Sequence, residues 1–324
     1  MLNLFASAQG NVWFWEFEKQ FILWLQSLGG EGSIIYYLMN FFTLFGEDIL
    51  IIAVMGVIYW GIDKNKGEMI GASVMTAAVV NPLIKNIFCR VRPFDAFPSE
   101  IKNLKDVDGF SFPSGHSSSS ATMMSALALS YRKQHKKWLT ALAVVVPLLV
   151  ALSRNYLGAH WITDVVAGLA MGVAVSFTMV FALSNFNKYV VYAIALVVGA
   201  SGFFYCTTND YYSSYGLLIG FVCAVIFEEK ITKFANTKTW WRIALRVLGG
   251  GIVFLALKEG LKIPVENLLF AGDEVKPGME TWEHIYRTFR YAVTCFVAMG
   301  VYPLLFKPVE KIWIRLGIVK TDNE

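Results

Sequence analysis

Long apolar runs separated by short charged loops dominate the chain from residue 47 onward. A helix that crosses hydrocarbon needs about 17–25 apolar residues. Runs of that kind fall at 47–62, 67–88, 114–131, 139–156, 161–186, 190–206, 213–229, 241–262 and 286–307, with 47–62 the shortest. The pattern predicts about nine transmembrane helices. The first 46 residues differ. Trp13, Trp15, Phe17, Phe21, Leu23, Trp24 and Leu25 alternate with Glu16, Glu18, Lys19 and Gln20, which predicts an amphipathic helix lying in the membrane interface. A second short apolar piece, Ile34 to Phe45, follows Gly29-Gly30 and ends at Gly46. It reads as a half-buried helix or as part of a tilted first crossing. The expected fold is all-α: a polytopic membrane helical bundle with an N-terminal interfacial segment (1–46), a membrane core (47–186), and further transmembrane helices with a short basic tail (187–324). No internal repeat or low-complexity tract interrupts it.

Composition supports lipid as the main solvent. Of 324 residues, 56% are hydrophobic and 16% charged, whereas soluble domains carry roughly 45–50% and about 25%. The mean hydropathy is +0.52. Twenty-five Phe, 14 Tyr and 10 Trp fit aromatic belts at the two interfaces. The net charge of +4 says little by itself, and no nucleic-acid partner is expected. Its distribution says more. Lys64 and Lys66, Arg132, Lys133, Lys136 and Lys137, Lys188, Lys230, Lys233, Lys238 and Arg242, and Lys307, Lys311, Arg315 and Lys320 fall in alternate loops. The other loops hold Asp106, Asp108, Asp210, Glu266, Asp273, Glu274, Glu280 and Glu283. Basic loops stay in the cytoplasm, so the C-terminus is expected there. The opening MLNLFASAQG lacks a basic signal-peptide n-region, so the hydrophobic segments themselves are expected to direct insertion. Cys89, Cys206, Cys223 and Cys295 have no metal-ligand spacing and form no disulfide framework. Free thiols are expected, with a Cys89–Cys206 bridge left open.

The candidate chemistry gathers on the acidic, non-cytoplasmic side. Lys85, Arg90 and Arg92, His116, Arg154, His160 and Asp164 lie at one end of four consecutive helices. Ionisable groups at membrane depth are costly and usually functional. Lys85 and Arg92 are seven residues apart, and Pro93 turns Arg92 out of the helix. A lysine point charge and an arginine fork make a phosphate clamp; two cations snorkelling to headgroups would look the same. Pro113-Ser114-Gly115-His116 opens a helix whose free amides suit an anion. Ser114 serves as cap, Gly115 admits a ligand to the backbone, and His116 can protonate a leaving oxygen. An ordinary capped helix with a chance histidine is the alternative. His160 and Asp164, four apart, share a helix face. The carboxylate can orient one imidazole nitrogen and leave the other free, or the pair can simply tie down the helix start. Arg154 adds a third cation across the Gly158 turn. His135 reads as solvated and His284 as a bystander. No cluster has metal-ligand spacing, so neither a metal nor another cofactor is expected.

Lys85 with six residues to Arg92-Pro93, then Pro113-Ser114-Gly115-His116, then Ser153-Arg154 with five residues to His160 and three to Asp164, resembles the three-part signature of type 2 phosphatidic acid phosphatases. That superfamily also includes polyprenyl diphosphate phosphatases, glucose-6-phosphatase and the vanadium haloperoxidases. The resemblance spans residues 85–164. It implies His160 as a nucleophile forming a phosphohistidine, Asp164 as its orienting partner and His116 as general acid. It also implies Lys85, Arg92, Ser114, the Gly115 amide and Arg154 as ligands of the phosphoryl oxygens. These roles agree with those read from residue chemistry, since phosphoryl transfer is chiefly positioning and charge stabilisation.

The leading expectation is therefore a metal-independent phosphatase in a bacterial cell membrane, acting on a lipid phosphate or polyprenyl diphosphate from the non-cytoplasmic face. A small-molecule phosphatase or phosphotransferase of the glucose-6-phosphatase kind is the second reading, and a non-enzymatic anion transporter the third. A homo-oligomer is left open. A haloperoxidase is disfavoured, because those members are soluble.

Overall fold

The computed structural model describes residues 2–7, 10–134, 137–265, 270–271, 274–276 and 278–315. The expectations attached to His135, Lys136, Glu266, Asp273 and Lys320 fall outside these residues. The fold is helical. Among the described residues its strands are one N-terminal hairpin, β1 (Leu2–Ser7) with β2 (Gly10–Trp15), and a two-residue pair, Phe270–Ala271 with Glu274–Val275. The helices are α1 (Glu16–Ser27), α2 (Ile34–Thr43), α3 (Asp48–Gly56), α4 (Lys64–Phe88), a short α5 (Pro93–Ala96), α6 (Gly115–Ser130), α7 (Lys137–Tyr156), α8 (Ile162–Asn185), α9 (Lys188–Ala200), α10 (Asn209–Phe227), α11 (Trp240–Gly260), α12 (Glu280–Phe296) and α13 (Phe306–Arg315).

Among the described residues, five helices are long and apolar enough to cross a membrane: Lys64–Phe88, Lys137–Tyr156, Ile162–Asn185, Trp240–Val265 and Glu280–Trp313. A sixth is added if Ile34–Gly46 and Asp48–Ile62, which break at Glu47, count as one crossing. The expected nine are thus not reached among the described residues. The runs at 114–131, 190–206 and 213–229 do form helices, but α6 carries Ser117 to Ser120 and the piece at Lys188–Phe204 is short. Lipid-facing character is plain where it occurs: Phe177, Phe181, Ile194, Val197 and Ile252 are all exposed.

Two compact units divide the chain, Met1–Ile52 with Ala72–Tyr211 and Ala53–Gly71 with Tyr212–Glu324. These limits differ from the expected boundaries at 46/47 and 186/187. In the first unit α6 and α8 pack backbone to backbone. A Cβ on Gly168 would lie 2.5 Å from the Ser114 carbonyl oxygen, and one on Gly172 would lie 2.5 Å from that of Ser118. Small residues permit such approach in membranes, and Ser176 Oγ adds a hydrogen bond to the Thr122 carbonyl at 2.9 Å. Part of the N-terminal segment packs here, while Trp15, Phe17 and Trp24, expected to lie in the interface, are exposed. Val12, Phe14 and Ile22 join Val91, Phe94, Ile101, Ala159 and Trp161 in one core, and Leu25 packs on Tyr156 and Leu157 of the α7 end. The predicted N-terminal amphipathic helix is in fact strand up to Trp15, with Val12 and Phe14 buried on alternate positions, and helix from Glu16.

The second unit has its own core of Tyr59, Trp60, Phe234 and Phe306. Buried Arg246 ties it by donating to the Trp60 and Ala235 carbonyls and to Glu310 Oε1. His284, expected to be a bystander, stacks on Tyr212 there, with ring centroids 3.9 Å apart. All four cysteines are free thiols.

Candidate active site

The site is built where the ends of α4, α6, α7 and α8 meet the loop Cys89–Pro113. Ser114 takes an extended conformation (φ −66°, ψ 119°), and its Oγ accepts from the Ser117 amide, capping α6. Its own amide donates to the Asp164 carbonyl at 3.0 Å. The first turns of α6 and α8 are therefore bonded directly to one another. Gly115 is the first residue of α6, and a Cβ there would meet no protein atom closer than Asn81 Oδ1 at 3.7 Å. The positive dipole end and free amides of α6 face that space.

Asp164 serves two roles that the sequence left as alternatives. Its Oδ2 accepts from the Trp161 amide at 2.8 Å, the reciprocal half of a capping arrangement at the start of α8. The same oxygen lies 3.6 Å from His160 Nδ1. Ser111 stands between them: its hydroxyl donates to Asp164 Oδ2 and lies 3.5 Å from His160 Nδ1. With Nδ1 turned to this acceptor pair, Nδ1 carries the proton and Nε2 keeps the lone pair. Asn155 Nδ2 holds the His160 carbonyl at 2.9 Å, and Gly158, at φ +76°, makes the tight turn that returns the chain from α7 to α8.

His160 is 2% exposed. Its Nε2 lies 3.2 Å from Arg92 Nη1. Burial first, and then the charges of Arg92, Arg154, Lys85 and His116, hold its pKa well below the usual 6.5. Four of the residues expected to converge thus act on one imidazole. Arg92 has the extended conformation that Pro93 dictates (φ −71°, ψ 154°). Its guanidinium donates to the carbonyls of Gly109, Asp108 and Ala159 at 2.9, 2.7 and 3.0 Å. Arg154 is fully buried and donates from Nη1 to Thr43 Oγ1 at 3.0 Å, while its Nε and Nη2 have no protein acceptor. A buried charged donor without a partner costs more than the 1–3 kcal/mol of a neutral one, so its retention points to a ligand that supplies acceptors. Lys85, in the last turn of α4, lies 3.7 Å from Asp210 Oδ2.

Arg90, one of the converging cations, is joined in holding this arrangement by Glu18 and Glu47, which carried no sequence signal. Arg90 pairs with Asp164 Oδ1 from behind. It stacks on Trp13, 3.6 Å from the ring centroid, and faces Glu18 Oε2 at 3.4 Å. Glu18, also fully buried, accepts from the Trp15 amide at 2.9 Å and from the Thr163 amide and hydroxyl at 2.8 Å each. One carboxylate thereby caps both α1 and α8. On the other side Glu47 Oε1 meets Lys105 Nζ at 2.5 Å and His116 Nε2 at 3.4 Å. Among the described residues no group of three or more His, Cys, Asp or Glu could hold a metal ion.

Residues 69–188 match the PAP2 superfamily, and residues 212–311 match the transmembrane extension of PAP2 superfamily phosphatases. Phosphatidylglycerophosphatase B of Bacillus subtilis is 35% identical over 108 residues, 32% of this chain and 50% of that protein. Undecaprenyl-diphosphatase of Sulfolobus acidocaldarius is 30% identical over 145 residues, 44% of this chain and 68% of that one. The match thus spans half the length of the first relative and about two thirds of the second. The crystal structure of a transmembrane PAP2-type phosphatidylglycerolphosphate phosphatase from Bacillus subtilis superposes with a TM-score of 0.44 at 25% identity, covering 54% of this chain and 88% of that one. With every position of the three-part signature filled, with both family segments matched and with these relatives at 30% and 35% identity, the chain belongs to the PAP2 superfamily.

Proposed function

We propose that this protein is an integral-membrane phosphatase that hydrolyses a lipid phosphate monoester or diphosphate through a phosphohistidine, without a metal. The observation that carries the reading is the orientation of His160: Nδ1 faces Ser111 and Asp164, and Nε2 faces the Arg92 guanidinium. In the first step Nε2 bonds to phosphorus, the bond from phosphorus to the leaving oxygen breaks, and that oxygen takes a proton from His116. In the second step water bonds to phosphorus, the phosphorus–nitrogen bond breaks, and His116 recovers a proton from the water. Arg92, Arg154, Lys85, Ser114 and the Gly115 amide stabilise the equatorial oxygens in both steps. Phosphatidylglycerophosphate and undecaprenyl diphosphate, the substrates in the relatives' names, favour a lipid over a sugar phosphate. Basic residues on the alternate loops support a site on the non-cytoplasmic face of a cell membrane and a cytoplasmic C-terminus.

Purified protein assayed against a panel of lipid, polyprenyl and sugar phosphates, with chelator present, tests this. Phosphate release from lipid substrates, its loss in His160→Ala and competitive inhibition by vanadate are expected. Activity in His160→Ala equal to wild type, or complete loss on chelation, would contradict the mechanism. Faster release from sugar phosphates than from any lipid would contradict the substrate class.

A further inference from the structure

A carboxylate outside the family-matched segment reaches the general acid. Residues 69–188 match the family, yet Thr43 and Glu47, from the break between α2 and α3, both touch the site. Thr43 Oγ1 accepts from Arg154 Nη1 at 3.0 Å. Glu47 Oε1 lies 3.4 Å from His116 Nε2 and 2.5 Å from Lys105 Nζ. The approach is built in. A Cβ on Gly46 would lie 2.8 Å from His116 Cβ and 2.9 Å from its carbonyl oxygen, so only glycine lets the break press against the first turn of α6. The His116 side chain is 22% exposed, yet its Nε2 is fully buried. The exposed part of the side chain therefore lies off Nε2.

From this geometry we propose that Glu47 is the positioning residue of His116. It accepts a hydrogen bond from Nε2–H, favours the imidazolium, and leaves Nδ1–H to protonate the leaving oxygen. This rests on the phosphatase reading above. It gives each catalytic histidine its own carboxylate: Asp164 for His160, from within the matched segment, and Glu47 for His116, from outside it. Lys105 Nζ meets the same carboxylate oxygen, Oε1, and holds the carboxylate in place beside His116. The 3.4 Å separation is longer than a well-formed hydrogen bond, and such contacts tighten when substrate fills the site.

The discriminating readout is leaving-group dependence. A long-chain alkyl phosphate releases an alkoxide that must be protonated, whereas p-nitrophenyl phosphate releases a phenolate that need not be. Glu47→Gln is expected to lower kcat on the alkyl phosphate about 10–100-fold, within the range of general-acid contributions, and to change turnover of the aryl phosphate less than about threefold. In a His116→Gln background the same substitution is expected to add nothing. Equal losses on both substrates, or losses that multiply in the double variant, would overturn the assignment. Failure of the wild-type protein to release phosphate from either compound would instead remove the phosphatase reading, and this assignment with it.

Discussion

The Ser111 hydroxyl bridges His160 and Asp164, donating to Asp164 Oδ2 and lying 3.5 Å from His160 Nδ1. The two principal groups themselves are 3.6 Å apart, beyond direct hydrogen-bond range. Contact between His160 and Asp164, with His160 as the proposed nucleophile, therefore runs through a serine that belongs to none of the three signature stretches. Ser111→Ala is expected to lower kcat about 10-fold or more, with a smaller change in KM, because positioning of a reacting group is felt mainly in the chemical step. Steady-state kinetics on a lipid phosphate checks this. An unchanged kcat would mean that Asp164 orients His160 unaided.

The depressed pKa of His160 sets the pH behaviour. Burial and the surrounding cations disfavour its protonated form, so the imidazole stays neutral, and nucleophilic, below pH 6.5. The acid limb of kcat/KM is then expected to lie well below pH 6.5. The linkage follows the same sign. Below pH 6.5 the unfolded chain binds a proton at this histidine that the folded chain refuses, so stability falls as pH falls, by up to about 1.4 kcal/mol per unit. A pH–rate profile that loses half its kcat/KM near pH 6.5 on the acid side would contradict this.

Glu18 and Arg90 are both completely buried, and the Thr163 amide also depends on Glu18. Removing one member of a buried ion pair leaves an uncompensated charge, at a cost of about 3–5 kcal/mol. Glu18→Ala is expected to be destabilised on that scale. Glu18→Gln, which keeps an acceptor for the Thr163 amide, should lose less. Thermal unfolding in detergent measures both, and wild-type stability in Glu18→Ala would refute the role given to the N-terminal helix.

Arg92 cannot be replaced by lysine on the geometry seen. Its fork donates to three loop carbonyls, on Asp108, Gly109 and Ala159, and also faces His160. An ammonium retains the charge but loses the fork. Arg92→Lys is expected to reduce kcat/KM roughly 100-fold, the scale of removing one donor to transition-state charge. Kinetics indistinguishable from wild type would mean that only the charge matters.

Much of this site was legible because its chemistry is local in sequence. Ser114-Gly115-His116 and His160 with Asp164 are each held within about one turn, and Lys85 with Arg92-Pro93 spans a helix end and the loop that follows it, so short spacing brings each set together. Ser111, Glu18, Thr43 and Glu47 were not legible. Each reaches the site through tertiary packing of a separate segment, and a lone acid or hydroxyl in a mixed stretch looks like surface. The N-terminal segment misled for a related reason. The alternation of Trp13 and Trp15 with their neighbours belongs to a strand with Val12 and Phe14 buried, whereas the charges Glu16, Glu18 and Lys19 belong to the helix that follows. Of the nine apolar runs, Gly115–Ser130 forms a helix rich in buried serines, and among the described residues five or six helices meet the length and apolarity of a crossing.

Covalent phosphorylation of His160 is the central claim, and rapid acid-free quenching of the enzyme with a ³²P-labelled lipid phosphate tests it most directly. The account predicts a transient, acid-labile label on the peptide containing His160, absent in His160→Ala and formed before free phosphate appears. Turnover without any labelled protein, or label that persists in His160→Ala, would contradict it.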